Sequence, residues 1–475
     1  MIQANTERFT LGSLLLSKHF PILWSIAFAI YFFAFSTKGT FDPATIGAYW
    51  PGHFYSAQAD ALLNGRLWID KSNLPGECYF RDGNCYGYYG LAPSLLRIPL
   101  VLVLGVTDSE LTPMFLSVAA GIAVWATLDL CRRVVVRENV IGDRLSAGFI
   151  AVAAVVLGPG SALMLVSDAY VYQEAILWSI AGVMVGINLF WRWWVDRRDR
   201  QFVGVVLAFT FAAGARPSVG FVGVVLAAGI ILSGALRRTI TWQKIAGAAV
   251  LAVLPLFAVV GVFSLKFESF MPPYDSYEGL NYEFIQYNMQ NNDGEFGSSP
   301  KFIPTSMLAY LRPDTLAVET NWPFVSFRFG RPYGQEPLER ITYVPPARRD
   351  SMNVEPTVSI TNVMPVPLIA TALSAVAITR RRRQRFELLI LLALSTSLVV
   401  MATIQSIATR YLGEFFPLLA AGTVFSAALL PRFRRAGWNT RAVVTTVVVV
   451  LTIISIPIAA ALAAQYNWTY RFGIQ

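Results

Sequence analysis

Charged residues are scarce in this chain. Asp, Glu, Lys and Arg make up 14% of its 475 residues, against about 25% in soluble domains. That shortage excludes a water-soluble enzyme held by a single anchor. Histidine occurs only as His19 and His53, and no HExxH pattern is present. The three cysteines form no CxxC pair. There is no P-loop and no GxGxxG after a strand, which excludes the usual nucleotide-binding patterns. Internal repeats and heptad runs are also missing.

What the chain has is apolar length. Hydrophobic residues make up 55% of it, the mean hydropathy is +0.52, and the apolar residues fall in runs near the length of a bilayer crossing. We expect an all-α polytopic membrane protein in the plasma (inner) membrane. The net charge of +9 is mostly arginine in short loops between apolar runs. This follows the positive-inside rule and does not indicate a nucleic-acid partner. No A-x-A cleavage site follows the first apolar run, so Phe20–Ser36 is expected to be a retained span.

Eleven spans are expected, with the N-terminus inside and the C-terminus outside. They lie near Phe20–Ser36, Thr112–Cys131, Leu145–Val166, Val171–Phe190, a helical hairpin within 202–236, Ala246–Leu265, Val358–Ile378, Phe386–Ile404, Leu412–Leu430 and Val443–Ala463. The division is a cytoplasmic lead (1–19), a membrane core (20–266) with an outer loop (37–111), an outer lid loop (267–356) and C-terminal membrane helices (357–475). Both long outer loops are expected to carry juxtamembrane helices. The lid is too rich in Tyr, Phe and Trp for a disordered linker. The apolar segment Leu91–Gly105 contains Arg97 and Pro99. Read as a helix in the outer interface, it leaves Arg132, Arg133, Arg137 and Arg144 inside, consistent with every later loop.

The stretch Trp50–Leu67 is too polar to span. It is expected to be an amphipathic helix on the membrane surface, with His53, Gln58 and Asp60 offering polar groups and Gly65-Arg66 ending it. Cys78 and Cys85 flank a turn containing Asp82-Gly83, so a disulfide closing a hairpin is expected in an oxidising compartment.

Candidate chemistry gathers on the outer side. His53 and Asp60 are seven residues apart and share a helix face, where they could act as a general base. Asp42 follows the first span at the mouth of a cavity. Glu174 falls close to the apolar zone, where a carboxylate tends to face a cavity or a partner, and Asp168 flanks the same entry. Glu414 follows Arg410 by four residues and could pair with it. Arg66, Arg97, Arg216 and Arg410 all map outside, against the inward bias of the other arginines. Together they fit an anionic headgroup, because guanidinium groups bind phosphate oxygens in a bidentate way. Taken singly, each has an ordinary reading as well: a hydrated helix face for His53 and Asp60, a turn residue for Asp42, an ion pair for Arg410 and Glu414, and an interfacial anchor for each arginine.

The order of motifs resembles the GT-C superfamily of integral membrane glycosyltransferases, in particular bacterial proteins related to the protein O-mannosyltransferases and aminoarabinose transferases. The resemblance runs through Gln58–Leu67 (QADALLNGRL), Tyr88–Pro99 (YYGLAPSLLRIP), Val171–Glu174 (VYQE), Ala215–Pro217 (ARP) and Arg410–Glu414 (RYLGE). It implies inverting transfer of a hexose or pentose from a polyprenyl-phosphate or -diphosphate donor on the outer face. The acceptor would be a cell-envelope glycan, lipid or protein. A carboxylate would act as base, arginines and Tyr411 would hold the lipid phosphate, and the lid would cover the acceptor. No cofactor is implied with certainty, and a divalent metal ion is left open. Where better-known members carry an Asp-Glu pair, this chain has Pro51-Gly52, so Asp42 or Asp60 stands in for it or the chemistry has drifted. A lipid flippase or transporter and a non-catalytic assembly subunit are the competing readings.

Overall fold

The computed structural model describes residues 11–42, 53–74, 77–105, 111–138, 144–196, 198–236, 241–270, 277–279, 299–321, 324–327, 357–380, 385–404 and 407–465. Helices dominate. In chain order the main ones are α1 (Leu11–Leu16), α2 (Phe20–Ser36), α3 (Phe54–Leu63), α4 (Ala92–Leu104), α5 (Thr112–Arg137), α6 (Arg144–Val156), α7 (Val171–Trp194), α8 (Gln201–Ala215), α9 (Gly220–Leu236), α10 (Trp242–Phe267), α11 (Ile303–Leu311), α12 (Pro365–Thr379), α13 (Arg385–Ala402), α14 (Phe416–Phe425) and α15 (Trp438–Ala464), with short helices at Ile360–Val363 and Leu430–Arg435. The strands are β1 (Glu77–Arg81), β2 (Asn84–Tyr86), β3 (Tyr277–Gly279), β4 (Leu316–Val318) and β5 (Val325–Phe327).

Each of the eleven expected spans has a helical counterpart. Among the described residues, six helical stretches are long and apolar enough to cross a membrane: Thr112–Arg137, Val171–Trp194, Pro217–Ala235, Trp242–Phe267, Thr409–Arg435 and Trp438–Ala464. The others are shorter. The run expected at Leu145–Val166 is not one helix. α6 stops at Val156, the chain turns through Gly158-Pro159-Gly160, and a 3-10 segment resumes at Ala162–Val166. Proline has no N–H to continue the ladder, and the Ser161 hydroxyl accepts the Leu163 N–H at 3.2 Å to start the new segment.

α5 and α7 form the buried centre. Ala119, Ala120, Ala123 and Ala126 of α5 are fully buried, and a side chain at Gly121 would meet Ala29 of α2. Small residues let helices approach closely where apolar solvent supplies no hydrophobic drive. α10 and α15 do the opposite. Phe257, Leu265, Val253 and Ile453 are all more than half exposed, an apolar surface that water would not tolerate over this area and lipid would.

One end of the bundle carries a layer of smaller elements. β1 and β2 form the expected hairpin, and Cys78 and Cys85 are disulfide-bonded across it with their Cα atoms 5.1 Å apart. β3, from the second long loop, adds antiparallel to β1. In the same loop, the Tyr310 hydroxyl of α11 accepts the Ala408 N–H at 3.1 Å. The Ser299 N–H donates to the Thr403 carbonyl at 2.8 Å. These bonds seat that part of the loop on the ends of the bundle helices.

The expected surface helix at Trp50–Leu67 is corrected in two respects. Residues 50–52 lie outside the described residues, and the helix seen, α3, is packed into protein. Phe54, Tyr55, Ser56, Gln58, Ala59 and Ala61 are buried, and Gln58 accepts the Ser94 hydroxyl of α4 at 2.9 Å instead of facing water. Its end is as expected. Gly65 takes φ +70°, and the N–H groups of Gly65 and Arg66 return to the carbonyls of Leu62 and Ala61, the Schellman pattern that glycine makes accessible.

Candidate active site

α5 is 26 residues long, so its ends stand about 39 Å apart at 1.5 Å per residue. Arg97 meets the first residue of α5 and Arg137 is the last. These two arginines, expected on opposite sides, therefore lie at opposite ends of the bundle. α4 spans 13 residues, about 20 Å of helix, too short for a hydrocarbon core of about 30 Å.

Arg97 and Glu174 pair with each other. The Arg97 Nη2–Glu174 Oε2 distance is 2.6 Å, and both side chains are fully buried. Arg97 also donates to Ser56 Oγ at 2.6 Å and Thr112 Oγ1 at 3.0 Å, and lies over the Phe115 ring at 4.7 Å. One guanidinium thus joins α3, α4, α5 and α7.

Above this pair lies an aromatic cluster. Tyr89 stacks on Tyr88 at 4.3 Å and meets Phe54 and Tyr172 edge-on at 5.0 and 5.4 Å. The Tyr172 hydroxyl donates to Glu77 Oε1 of the disulfide hairpin at 2.6 Å. Burial pushes the Tyr88 phenol well above its usual range, with Tyr172 and Glu77 adding to the effect, so it stays a neutral hydrogen-bond donor. Lys266, at the end of α10 and fully buried, donates to the carbonyls of Gly87 and Tyr89, both at 2.9 Å. Lysine and tyrosine loop are thereby fastened together.

The second arginine pair sits beside this cluster. Arg216, in the turn after α8, forms an ion pair with Glu414, and Ser218 Oγ donates to the other carboxylate oxygen at 3.1 Å. Burial alone would lower the Arg216 pKa, but Glu414 and Tyr411 more than offset it, so the guanidinium stays charged. Sequence proximity pointed to Arg410 as the partner of Glu414, but the ion-pair partner in the structure is Arg216. Arg410 instead stacks on Tyr172 at 4.6 Å and Tyr411 at 5.2 Å. A water-sized cavity beneath is lined by Arg216, Glu414, Ser179 and Ser397. Asp168, buried in the turn before α7, accepts the Ala169 N–H at 3.1 Å.

The remaining expected residues lie further out. Asp42 is exposed just beyond α2. His53 is half-buried and immediately precedes α3. Asp60 and Arg66 approach to 3.8 Å with side chains 40% and 38% exposed. The structure therefore brings Arg216, Arg410, Tyr411 and Glu414 together, locks Arg97 on Glu174, and leaves Asp42, Asp60 and Arg66 at the surface. Among the described residues, no three of His, Cys, Asp and Glu group as a metal-ligand set. Sequence reading missed Glu77, Tyr172, Ser218 and Lys266. Their partners are distant along the chain, and only Tyr172, inside the VYQE stretch, falls in a motif.

Gly90 gives this region a sensitive point. A Cβ there would fall 1.9 Å from the Gly214 carbonyl oxygen, so the loop carrying Tyr88 and Tyr89 rests directly on the end of α8. We expect Gly90→Ala to cost about 1–3 kcal/mol through overpacking, read as a lower unfolding midpoint in detergent. An unchanged midpoint would show that the loop can move off α8 at no cost.

No protein-family model matches the chain, and no curated protein matches it by sequence. Solved structures do match. The Archaeoglobus fulgidus oligosaccharyltransferase tethered with an acceptor peptide containing the NVT sequon aligns with a TM-score of 0.51 and 11% identity, covering 94% of this chain. Its apo form aligns at 0.49 with 14% identity over 95% of this chain. Its complex with an inhibitory peptide and a dolichol-phosphate aligns at 0.45 with 14% identity over 94%. This chain spans 56% of that protein's length in each case. By architecture, the chain shares the fold of the Archaeoglobus fulgidus oligosaccharyltransferase over 56% of that protein's length.

Proposed function

We propose that the protein is a membrane glycosyltransferase that moves a sugar from a polyprenyl-phosphate or -diphosphate donor to a cell-envelope glycan, lipid or protein acceptor outside the plasma membrane. The observation that carries this reading is the convergence of Arg216, Arg410, Tyr411 and Tyr172 at the end of the bundle roofed by the disulfide hairpin. Stacking on two rings holds the Arg410 guanidinium plane in one orientation, which suits a planar fork meeting phosphate oxygens. The likeness to an oligosaccharyltransferase known with an acceptor peptide supports the same class of reaction.

In this reading Arg410, with Arg216 beside it, holds the lipid phosphate that leaves as product. Asp42 takes the proton from the acceptor hydroxyl as the sugar carbon inverts, with Asp60 or His53 as the other candidates. Glu174 and Arg97 hold the floor. Asp168 shapes the entry to α7, and Arg66 lies at the rim.

The test is donor binding and transfer by purified protein with a panel of polyprenyl-phosphate sugars. We expect at least one donor to bind and be consumed. Arg410→Gln should weaken its binding about 10–100-fold, the loss of a charge-assisted bond of about 1.5–3 kcal/mol. Binding without consumption of any donor by the intact protein would favour a flippase or assembly role. Full affinity in Arg410→Gln would remove Arg410 from the site.

A further inference from the structure

Glu77 opens β1, and that strand is anchored along both edges. On one side the Cys78–Cys85 disulfide ties it to β2. On the other side β3 pairs with it, and Gly279 stands opposite Glu77. At the far end of the strand, Arg81 donates to the Lys266 carbonyl at 3.2 Å and forms an ion pair with Glu268, where α10 ends. The position of Glu77 is therefore set by the bundle and by the second long loop as well as by its own hairpin.

From this frame the Glu77 side chain reaches α7. It accepts the Tyr172 hydroxyl at 2.6 Å, the length of a charge-assisted bond from a hydroxyl to a carboxylate. The face of the same Tyr172 ring carries the Arg410 guanidinium, 4.6 Å from its centroid. Tyr89 meets the ring edge-on at 5.4 Å. Carboxylate, phenol and guanidinium thus stand in series, supplied by β1, by α7 and by the 3-10 segment Thr409–Phe415. A phenol that donates to a carboxylate is polarised by it, and the electron density this leaves on the ring is what attracts a cation to its face. The bond to Glu77 also stops the ring from shifting along α7. Both effects act on the plane of Arg410 without any contact between Glu77 and a substrate.

We propose that Glu77 is a positioning residue for Arg410. Through the Tyr172 hydroxyl it holds the ring, and with it the guanidinium, in the orientation that meets the phosphate of the donor. The disulfide hairpin is then a working part of the donor site and not only its roof. This role rests on the reading of Arg410 as a phosphate ligand, but the Glu77–Tyr172–Arg410 series can be tested with no donor present.

The experiment treats full-length protein in detergent with phenylglyoxal, which modifies guanidinium groups, and follows Arg410 by peptide mass spectrometry. Tyr172→Phe keeps the ring and its packing and removes only the hydroxyl. We expect it and Glu77→Ala to speed modification of Arg410 about 3–10-fold, with Arg66 at the rim unchanged as the internal reference. Glu77→Gln retains an acceptor for the hydroxyl and should recover part of the protection. The double variant Glu77→Ala/Tyr172→Phe should react no faster than the faster single variant, because both changes cut one link. In transfer assays Tyr172→Phe and Glu77→Ala should raise the donor KM about 3–10-fold and leave kcat nearly unchanged, the mark of lost ground-state binding. An unchanged rate at Arg410 in both single variants would overturn the positioning role, whatever happens to the unfolding midpoint. So would rates that multiply in the double variant. Faster modification with an unmoved KM in an active enzyme would overturn the link to the donor. Faster modification in the variants of a protein that binds no donor would leave the series standing and remove the phosphate-holding reading of Arg410 instead.

Discussion

Glu174→Ala is expected to cost about 3–5 kcal/mol of stability, because it strands the fully buried Arg97 guanidinium without its counter-charge. Arg97 is fully buried, and its bonds to Ser56 and Thr112 are to neutral hydroxyls that cannot replace the lost charge. The measurement is the unfolding midpoint in detergent. The double variant Arg97→Met/Glu174→Leu should recover much of the loss, since replacing both ions with apolar groups removes the desolvation penalty together with the attraction. The cycle of single and double variants gives the coupling directly. The same series decides what Glu174 is for. If it served as the catalytic base, Glu174→Gln would abolish transfer while leaving the midpoint near that of the wild type. We expect the reverse order of effects, with stability responding first and activity only through the fold.

The second large effect is expected at Asp42. An amide cannot take a proton from an acceptor hydroxyl, so Asp42→Asn should lower turnover about 10²–10⁴-fold, the usual worth of a positioned general base. Donor affinity should be unchanged, because the arginines proposed to hold the phosphate are elsewhere. Asp60→Asn is the control. Asp60 lies at the surface end of α3 beside Arg66 and the amide of Asn64, and its loss should change turnover little. A large effect at Asp60 with none at Asp42 would transfer the role to Asp60. No effect at either would sink the general-base mechanism for these two carboxylates.

Membrane class, the helical counterparts of the eleven apolar runs and the disulfide hairpin were legible in the sequence, because each rests on short-range physics. An apolar run of bilayer length has few other fates. Two cysteines across an Asp-Gly turn are brought together by the turn itself, and Gly65 ends α3 for the same kind of local reason. The breaks near Gly158-Pro159-Gly160 were also written in the residues, although their consequence for the helix was not drawn from the run of hydropathy alone.

Partnership was not legible. Arg97 and Glu174 are 77 residues apart, and Arg216 and Glu414 are 198 apart. Composition could mark each as an unusual charge near the apolar zone, but not say which of them cancel. Gln58 reads as a polar group on a surface helix until α4 is laid over it and Ser94 reaches its side chain. By itself the sequence determined that the chain is a helical membrane protein with a disulfide-closed hairpin. Only the tertiary structure decided which arginines are neutralised inside the bundle and which are held at its end. An ion pair forms or fails by distances of a few ångströms between helices, and helix packing sets those distances.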